Sequence, residues 1–423
     1  MNKWTLRPSE IGIPGLLIWG ALFFNWLLAF VNARGVGVSS AYVAVCETLL
    51  LAAALLYMLR RGALREQVLI ICVYALCFVF TLLRFVIAQD VEVKLLRDMA
   101  IIFVFLSLGF SAREEPYRLV FYISVLVAVI AALEVLQPKL YGTLFNVKSY
   151  YISSRGFSET AFWNADSELF VSATRPGERF FPTPANWPRA SSIFLEPVSL
   201  GNFIIVSLMV LLAGWQRLPT RIRIVWVATL GLLLLFSDSR FAFACSLLLV
   251  MLYTVLRRTP QQLSFLLFAL MLLGGVVLVW VSGKTSAADD FMGRIFYSLE
   301  KIGTLDLSML LGMKFMLAAN YMDSGLVYFI VSQSLLVLIL LLLLYSIGLV
   351  VRGPEAKLYK HYVLVVLALN LLISNSFFSM KVAALLWFCL GAFARVSLRE
   401  PVPAPAAPRS DGVASASALP VGK

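Results

Sequence analysis

The chain alternates apolar runs of about 20 residues, the length that carries an α-helix across a bilayer, with short polar breaks. These runs fall near 11–31, 40–58, 67–87, 95–111, 119–136, 197–213, 222–237, 241–256, 263–282, 326–350, 361–379 and 381–397. They predict an all-α polytopic membrane protein of about a dozen spans. Residues 137–196 and 283–325 break the rhythm, and connections that long are functional or disordered. The first holds Tyr150, Tyr151, Phe157, Phe162, Trp163, Phe180, Phe181 and Trp187, an aromatic content that argues against disorder. The expected organisation is five helices in 1–136, a loop at 137–196, four helices in 197–282, a loop at 283–325, and three helices in 326–397. Residues 398–423, rich in Pro, Ala and Ser without aromatics, are expected to form a disordered tail.

Charge sets the orientation. Arg60, Arg61 and Arg65, Arg113 and Arg118, Arg217, Arg221 and Arg223, Arg257 and Arg258, Arg352, Lys357 and Lys360, and Arg395 and Arg399 all fall on one side of the predicted spans. The positive-inside rule makes that side cytoplasmic, with both termini there and both long loops outside. Apolar residues make up 61% of the chain and charged residues 14%, too few charges for the surface of a soluble protein this large. The net charge of +12 sits in short loops between spans, so it reports topology and excludes nucleic acid as a partner. The first apolar run follows Lys3 and Arg7. It is too long for a signal peptide, is interrupted at Asn25–Trp26, and lacks a small-residue cleavage site, so an uncleaved helix is expected.

Candidate chemistry lies where cations defy the topology rule. Arg155, Arg175, Arg179 and Arg189 fall in the first outer loop, Arg294 in the second, and Arg240 in the tight outer turn Ser237–Arg240. A cation at a helix N-terminus opposes the macrodipole, so Arg240 calls for a compensating anion or acid. The arginine fork suits phosphate or diphosphate, and the structural alternative is an ion pair with Asp238 or another loop carboxylate. Pro197 fits the first position of a helix, which puts Glu196 at its mouth as a general base, as the orienter of an arginine, or as dipole compensation. Asp323 and Ser324 precede another helix, where an N-cap and a catalytic carboxylate are both open readings. Glu47 and Glu134 are acids inside apolar runs, costly positions that often mark pathways.

Absences narrow the chemistry. The single histidine, His361, falls at a cytoplasmic helix end, which excludes an outer Ser-His-Asp triad or a His-ligated metal. Asp289–Asp290 is too bare for a divalent metal. Cys46, Cys72, Cys77, Cys245 and Cys389 all lie in apolar runs as small hydrophobes. Neither a P-loop nor a dinucleotide fingerprint occurs, so no cofactor is expected.

Three local patterns resemble the Wzy-type polysaccharide polymerases of the O-antigen polymerase and ligase superfamily, nearest to those making exopolysaccharide. They are Arg189-x-x-Ser192-x-Phe194-x-Glu196-Pro197, Ser237-Asp238-Ser239-Arg240 and Asp323-Ser324-Gly325, within the layout of spans and two outer loops. The resemblance implies a GT-C-like bundle in the bacterial inner membrane and an inverting, metal-independent glycosyltransferase. Its substrate would be undecaprenyl-diphosphate-linked oligosaccharide repeat units, already flipped outward, with a flippase and a chain-length regulator as partners. Arg189, Arg240 and Arg294, with Arg175 and Arg179, would hold the diphosphate or glycan. Glu196 and Asp323 are the candidate bases, and Trp187 and Trp163 would stack on sugar rings or anchor at the interface. Some relatives place Gly ten residues after Arg in both loops; here Gly201 follows Arg189 at a longer gap and Gly303 follows Arg294 at a shorter one. Ligases of the superfamily carry a histidine in the late outer loop, which is missing here and favours polymerase over ligase. A flippase or transporter would need polar residues along the bundle interior, whereas Leu335 to Leu344 is plainly apolar.

Overall fold

Where apolar runs of this length meet no competing breaker, the backbone satisfies its own hydrogen bonds only as helix. The structure, a computed structural model, describes residues 12–61, 67–112, 115–175, 179–184, 186–288 and 290–399, with side chains to 395, and is helical without strands among them. Lys3, Arg7, Arg65, Arg113, Asp289 and the tail at 400–423 lie outside the described residues, as does the Arg399 side chain.

In chain order the helices are α1 (Ile13–Asn32), α2 (Ser40–Arg61), α3 (Val68–Ala88), α4 (Val93–Ser111), α5 (Pro116–Leu136), α6 (Pro138–Phe145), α7 (Val147–Arg155), α8 (Pro197–Ala213) and α9 (Thr220–Ser237). Then come α10 (Arg240–Arg258), α11 (Ser264–Ser282), α12 (Phe291–Ile302), α13 (Leu307–Leu310), α14 (Gly325–Gln333), α15 (Leu335–Leu343), α16 (Pro354–Leu371) and α17 (Met380–Arg399). Among the described residues seven helices are long and apolar enough to cross a membrane, and eight if one bent pair counts as a span. The runs expected at 95–111, 197–213 and 381–397 are helical too, as α4, α8 and α17, whereas the run at 361–379 is helical only to Leu371, the end of α16, with a separate 3-10 turn at Ser376–Phe378. The chain is thus a multi-pass helical membrane protein in outline.

Helices α4 and α17 form the tightest contact in the bundle. A Cβ on Gly109 would fall 2.1 Å from the Phe388 carbonyl oxygen, and one on Gly391 would fall 2.0 Å from that of Leu106. Small residues permit this approach, as in membrane helix pairs generally. Gly391→Val therefore forces the pair apart. We expect it to cost at least about 1–3 kcal/mol and to abolish the monodisperse peak in detergent size-exclusion chromatography.

The run at 326–350, expected as one span, is not one. Helices α14 and α15 meet at 105°, and Ser334 at the break takes a φ of 115°. The polar trio Ser332-Gln333-Ser334 supplies the reason. Carbonyls freed by the break need donors in an apolar interior. Arg84 of α3, 1% exposed, donates to the carbonyls of Ser332 (2.9 Å) and Gly312 (2.8 Å). Gln333 Nε2 donates to Leu95 O at 2.9 Å, and Ser334 Oγ accepts from Val337 N at 3.1 Å. Lys360, expected among the cytoplasmic loop cations, is instead buried and caps Ser346 O and Leu349 O at 2.9 and 2.8 Å. These carbonyls end the π-helical turn Leu344–Gly348 that follows α15.

Candidate functional site

Residues 187–197 form an ordered strap across the head of α8, and its shape comes from hydrogen bonds to other elements. Arg189 N donates to Ala173 O (2.9 Å) and Ala190 N to Phe236 O (2.8 Å). Glu134, fully buried in α5, then accepts from Ser191 N (2.8 Å), Ser191 Oγ (2.7 Å) and Ser192 N (2.6 Å). Ser192 Oγ donates to Val127 O at 2.8 Å, and Tyr141 OH donates to Ser192 O at 2.7 Å. These bonds hold two non-glycine residues, Ser192 and Leu195, at φ values of 51° and 62°, a region that L-residues enter only when the surroundings fix them there. Glu134, read from sequence as a costly intramembrane acid, is thus the clamp of the strap. Glu134→Ala leaves three buried donors unpaired at about 1–3 kcal/mol each. We expect a clear fall in the detergent melting temperature.

The strap delivers Glu196 to the N-terminus of α8, where its carboxylate meets three donors. Lys381 Nζ of α17 lies 2.9 Å from Oε2, Tyr151 of α7 donates its hydroxyl to Oε1 at 2.6 Å, and Ser199 donates to Oε2 at 2.8 Å. Lys381 is buried, its side chain 4% exposed against 29% for Glu196, and it also donates to Phe194 O at 3.1 Å. Burial alone would raise the Glu196 carboxyl; the charge and hydrogen bond of Lys381, with Tyr151 and Ser199, outweigh it and bring it down to about 2. A general base works best with a pKa near the ambient pH. This carboxylate is therefore a better charge partner than base, and the cation it orients is Lys381, not an arginine.

On the other flank of the strap the loop arginines gather. Arg189 donates Nε to Ser237 O (3.2 Å) and Nη2 to Asp238 O (3.4 Å). Arg179 donates to Trp187 O and, at 3.2 Å, to Thr183 Oγ1. Burial lowers the Arg189 guanidinium, Asp238 raises it, and repulsion from Arg175, Arg179 and Arg240 lowers it further, so the four guanidiniums share one field. The turn Ser237–Arg240 sits against α8 because Gly201 lacks a side chain; a Cβ there would fall 2.6 Å from Ser239 Oγ.

The ion pair with Asp238 considered for Arg240 does not form. The Asp238 carboxylate accepts instead from Phe180 N (3.0 Å) and Phe181 N (3.1 Å). Among the described residues Arg240 has neither a hydrogen bond nor an ion pair, only the Phe180 ring 5.9 Å from its guanidinium carbon. It is exposed at the N-terminus of α10, where the helix dipole opposes it. Arg175 and Arg240 are exposed and Arg179 and Arg189 half-buried, and guanidiniums gathered in this way can accept a phosphate or diphosphate.

The remaining candidates sit less centrally. Arg294 lies on α12, one turn beyond Phe291, whose ring is 6.2 Å from that of Phe241 beside Arg240. Asp323 is exposed and makes no hydrogen bond among the described residues; Ser324 supplies the N-cap of α14, accepting from Val327 N at 3.4 Å. Asp323 still belongs to the same end of the bundle. Its neighbour Met322 accepts from Asn375 N (3.2 Å), and the next residue, Ser376, accepts from Asn202 Nδ2 of α8 (2.7 Å). Trp187 packs edge-on to Phe236 at 5.8 Å between ring centroids, an anchoring contact. Trp163 is 50% exposed, with the Arg175 guanidinium carbon 5.6 Å from its ring centroid.

The other intramembrane acid, Glu47, pairs with Arg97 at 2.8 Å. Arg97 also holds Asp98 at 2.8 Å, and Asp98 accepts from Tyr328 at 2.7 Å. This network ties α2, α4 and α14 together. Sequence reasoning missed Lys381, although a cation in the first turn of the last helix, at the end the predicted topology puts outside, defies the positive-inside rule as the loop arginines do. Asp290 caps α12, accepting from Gly293 N at 2.6 Å, and pairs with Lys284 at 2.7 Å. No group of three or more potential ligands gathers around a metal position among the described residues. No protein-family model, curated protein or solved structure matches the chain.

Proposed function

We propose that the chain is a Wzy-type polymerase joining undecaprenyl-diphosphate-linked oligosaccharide units at the periplasmic face of the inner membrane, with both termini cytoplasmic. The observation that carries the reading is the gathering of Arg175, Arg179, Arg189 and Arg240 beside the strap, with Asp238 turned to backbone amides and Arg240 without a carboxylate partner among the described residues. In the reaction a hydroxyl of the incoming unit attacks the anomeric carbon of the growing chain. The bond from that carbon to the diphosphate oxygen breaks, and the diphosphate leaves with the electron pair. Preorganised cations stabilise the charge that develops on it, the role given to Arg189 and Arg240 with Arg294 nearby. The hydroxyl proton must pass to a base. Exposed Asp323 suits that role better than Glu196, whose carboxylate is engaged by Lys381. Glu196 and Lys381 hold the strap, and Trp163 offers a face for a sugar.

Reconstitution tests the reading. Purified protein in proteoliposomes, given lipid-linked repeat units, should yield a ladder of lipid-linked polymers and release undecaprenyl diphosphate. A reaction that leaves single units unchanged contradicts it. With a lipid-A-type acceptor added, transfer of glycan only to that acceptor would indicate a ligase, and movement of units across the bilayer without joining would indicate a flippase.

A further inference from the structure

On α10, positions 240, 243, 247 and 251 recur at spacings of three and four and so share one face. All are exposed: Arg240 at the outer end, then Phe243 at 38%, Leu247 at 52% and Met251 at 67%. Any helix facing lipid carries an apolar stripe, and what distinguishes this one is its head. The rings of Phe180, Phe181 and Phe243 pack pairwise at 4.9, 5.5 and 5.5 Å. They make a collar directly beneath Arg240, with Phe180 45% exposed. The comparable exposed face of α11 ends instead on Trp280 and Val281. A soluble anion would gain only the guanidinium, whereas an amphiphile gains both the cation and the apolar face below it.

We propose that this face of α10 is the lateral route for the hydrocarbon tail of a lipid diphosphate. The phosphates would lie on Arg240 and the first isoprene units on Phe180 and Phe243, with the tail running down past Leu247 and Met251. The identity of the lipid rests on the polymerase reading; the route rests on the charge and apolarity of this surface. The geometry also keeps the glycan outside, because the phosphates stop at the level of the turn Ser237–Arg240 while the tail never leaves the bilayer.

Site-specific photo-crosslinking of the full-length protein in lipid nanodiscs tests the route. A benzophenone amino acid replaces Leu247 or Met251 on α10 and, as controls, Val79 or Leu83 on α3, which are 53% and 55% exposed. The probe is radiolabelled undecaprenyl diphosphate in a phosphatidylethanolamine–phosphatidylglycerol bilayer. Labelling at 247 and 251 should exceed that at 79 and 83, and Arg240→Gln should reduce it on the order of tenfold, the loss of a charge-assisted contact. Equal labelling at all four positions would mean bulk lipid around the helices only and would overturn the route. So would labelling at 247 that is indifferent to Arg240→Gln. Labelling does not depend on turnover. Equal labelling beside a working polymerase removes the route alone; selective labelling in a protein that joins no units keeps the route and removes the polymerase reading.

Discussion

Arg240→Ala is expected to abolish polymer formation while leaving the protein folded and slightly more stable than the wild type. The two halves of this result have separate causes. An exposed cation at the N-terminus of α10 opposes the helix dipole, and among the described residues no carboxylate offsets it, so removing it should return about 0.3–1 kcal/mol. In the proposed reaction the same cation would stand where the leaving diphosphate gathers charge, and losing one preorganised donor of this kind typically lowers turnover about 100- to 1,000-fold. Arg189→Ala should be as inactive but less stable, because its guanidinium also ties the carbonyls of Ser237 and Asp238. Arg294→Ala is expected to lose polymer as well. Gel analysis of glycans from a complemented host, with melting curves of each purified variant, separates these outcomes. Full-length polymer from all three variants would sink the arginine model. An inactive Arg240→Ala protein that melts well below the wild type would assign that arginine a structural part.

The second large effect concerns Lys381, whose ammonium is buried between Glu196 and the Phe194 carbonyl. Lys381→Met leaves a carboxylate with its main charge partner gone; breaking a fully buried pair from one side costs about 3–5 kcal/mol, and the 29% exposure of Glu196 brings the expected cost below that. The double variant Lys381→Met/Glu196→Gln removes both charges and should recover most of that loss. A recovery of less than half would mean that the hydrogen bond from Lys381 to the strap matters more than the charge pairing. The pH dependence follows from the same geometry. Glu196 is held down at about 2, against an ordinary value of 4.5. Its stabilisation is therefore complete above about 4.5 and fades as the pH falls from there towards 2. Replacing Glu196 with Gln should flatten the melting curve across that window.

The helices were legible because apolar length in a bilayer leaves the backbone one solution. The break inside 326–350 was hidden by the leucines on either side. Ser332-Gln333-Ser334 was the visible signal, but its meaning depends on Arg84, which lies 248 positions earlier in sequence from the Ser332 carbonyl it holds. The strap from Arg189 to Glu196 could be read as a motif, since its residue types are unusual for an outer loop. Its shape could not, because Glu134 and Tyr141 act on it across the fold. Lys381 was overlooked for the same reason: pairing with Glu196 joins two helices that periodicity treats separately. The ion pair weighed for Arg240 was a fair expectation from the adjacent Asp238, and it fails because that carboxylate turns to the amides of Phe180 and Phe181. Local pattern thus located the charged residues, while their partners were settled by tertiary packing.

The most direct measurement is deletion of the gene in its host, followed by gel analysis of lipid-linked glycans and secreted polymer. The account predicts loss of polymer with accumulation of single repeat units on the outer leaflet, restored by the wild-type gene and not by Arg240→Ala. Units trapped on the cytoplasmic leaflet, or polymer that forms normally, would contradict it.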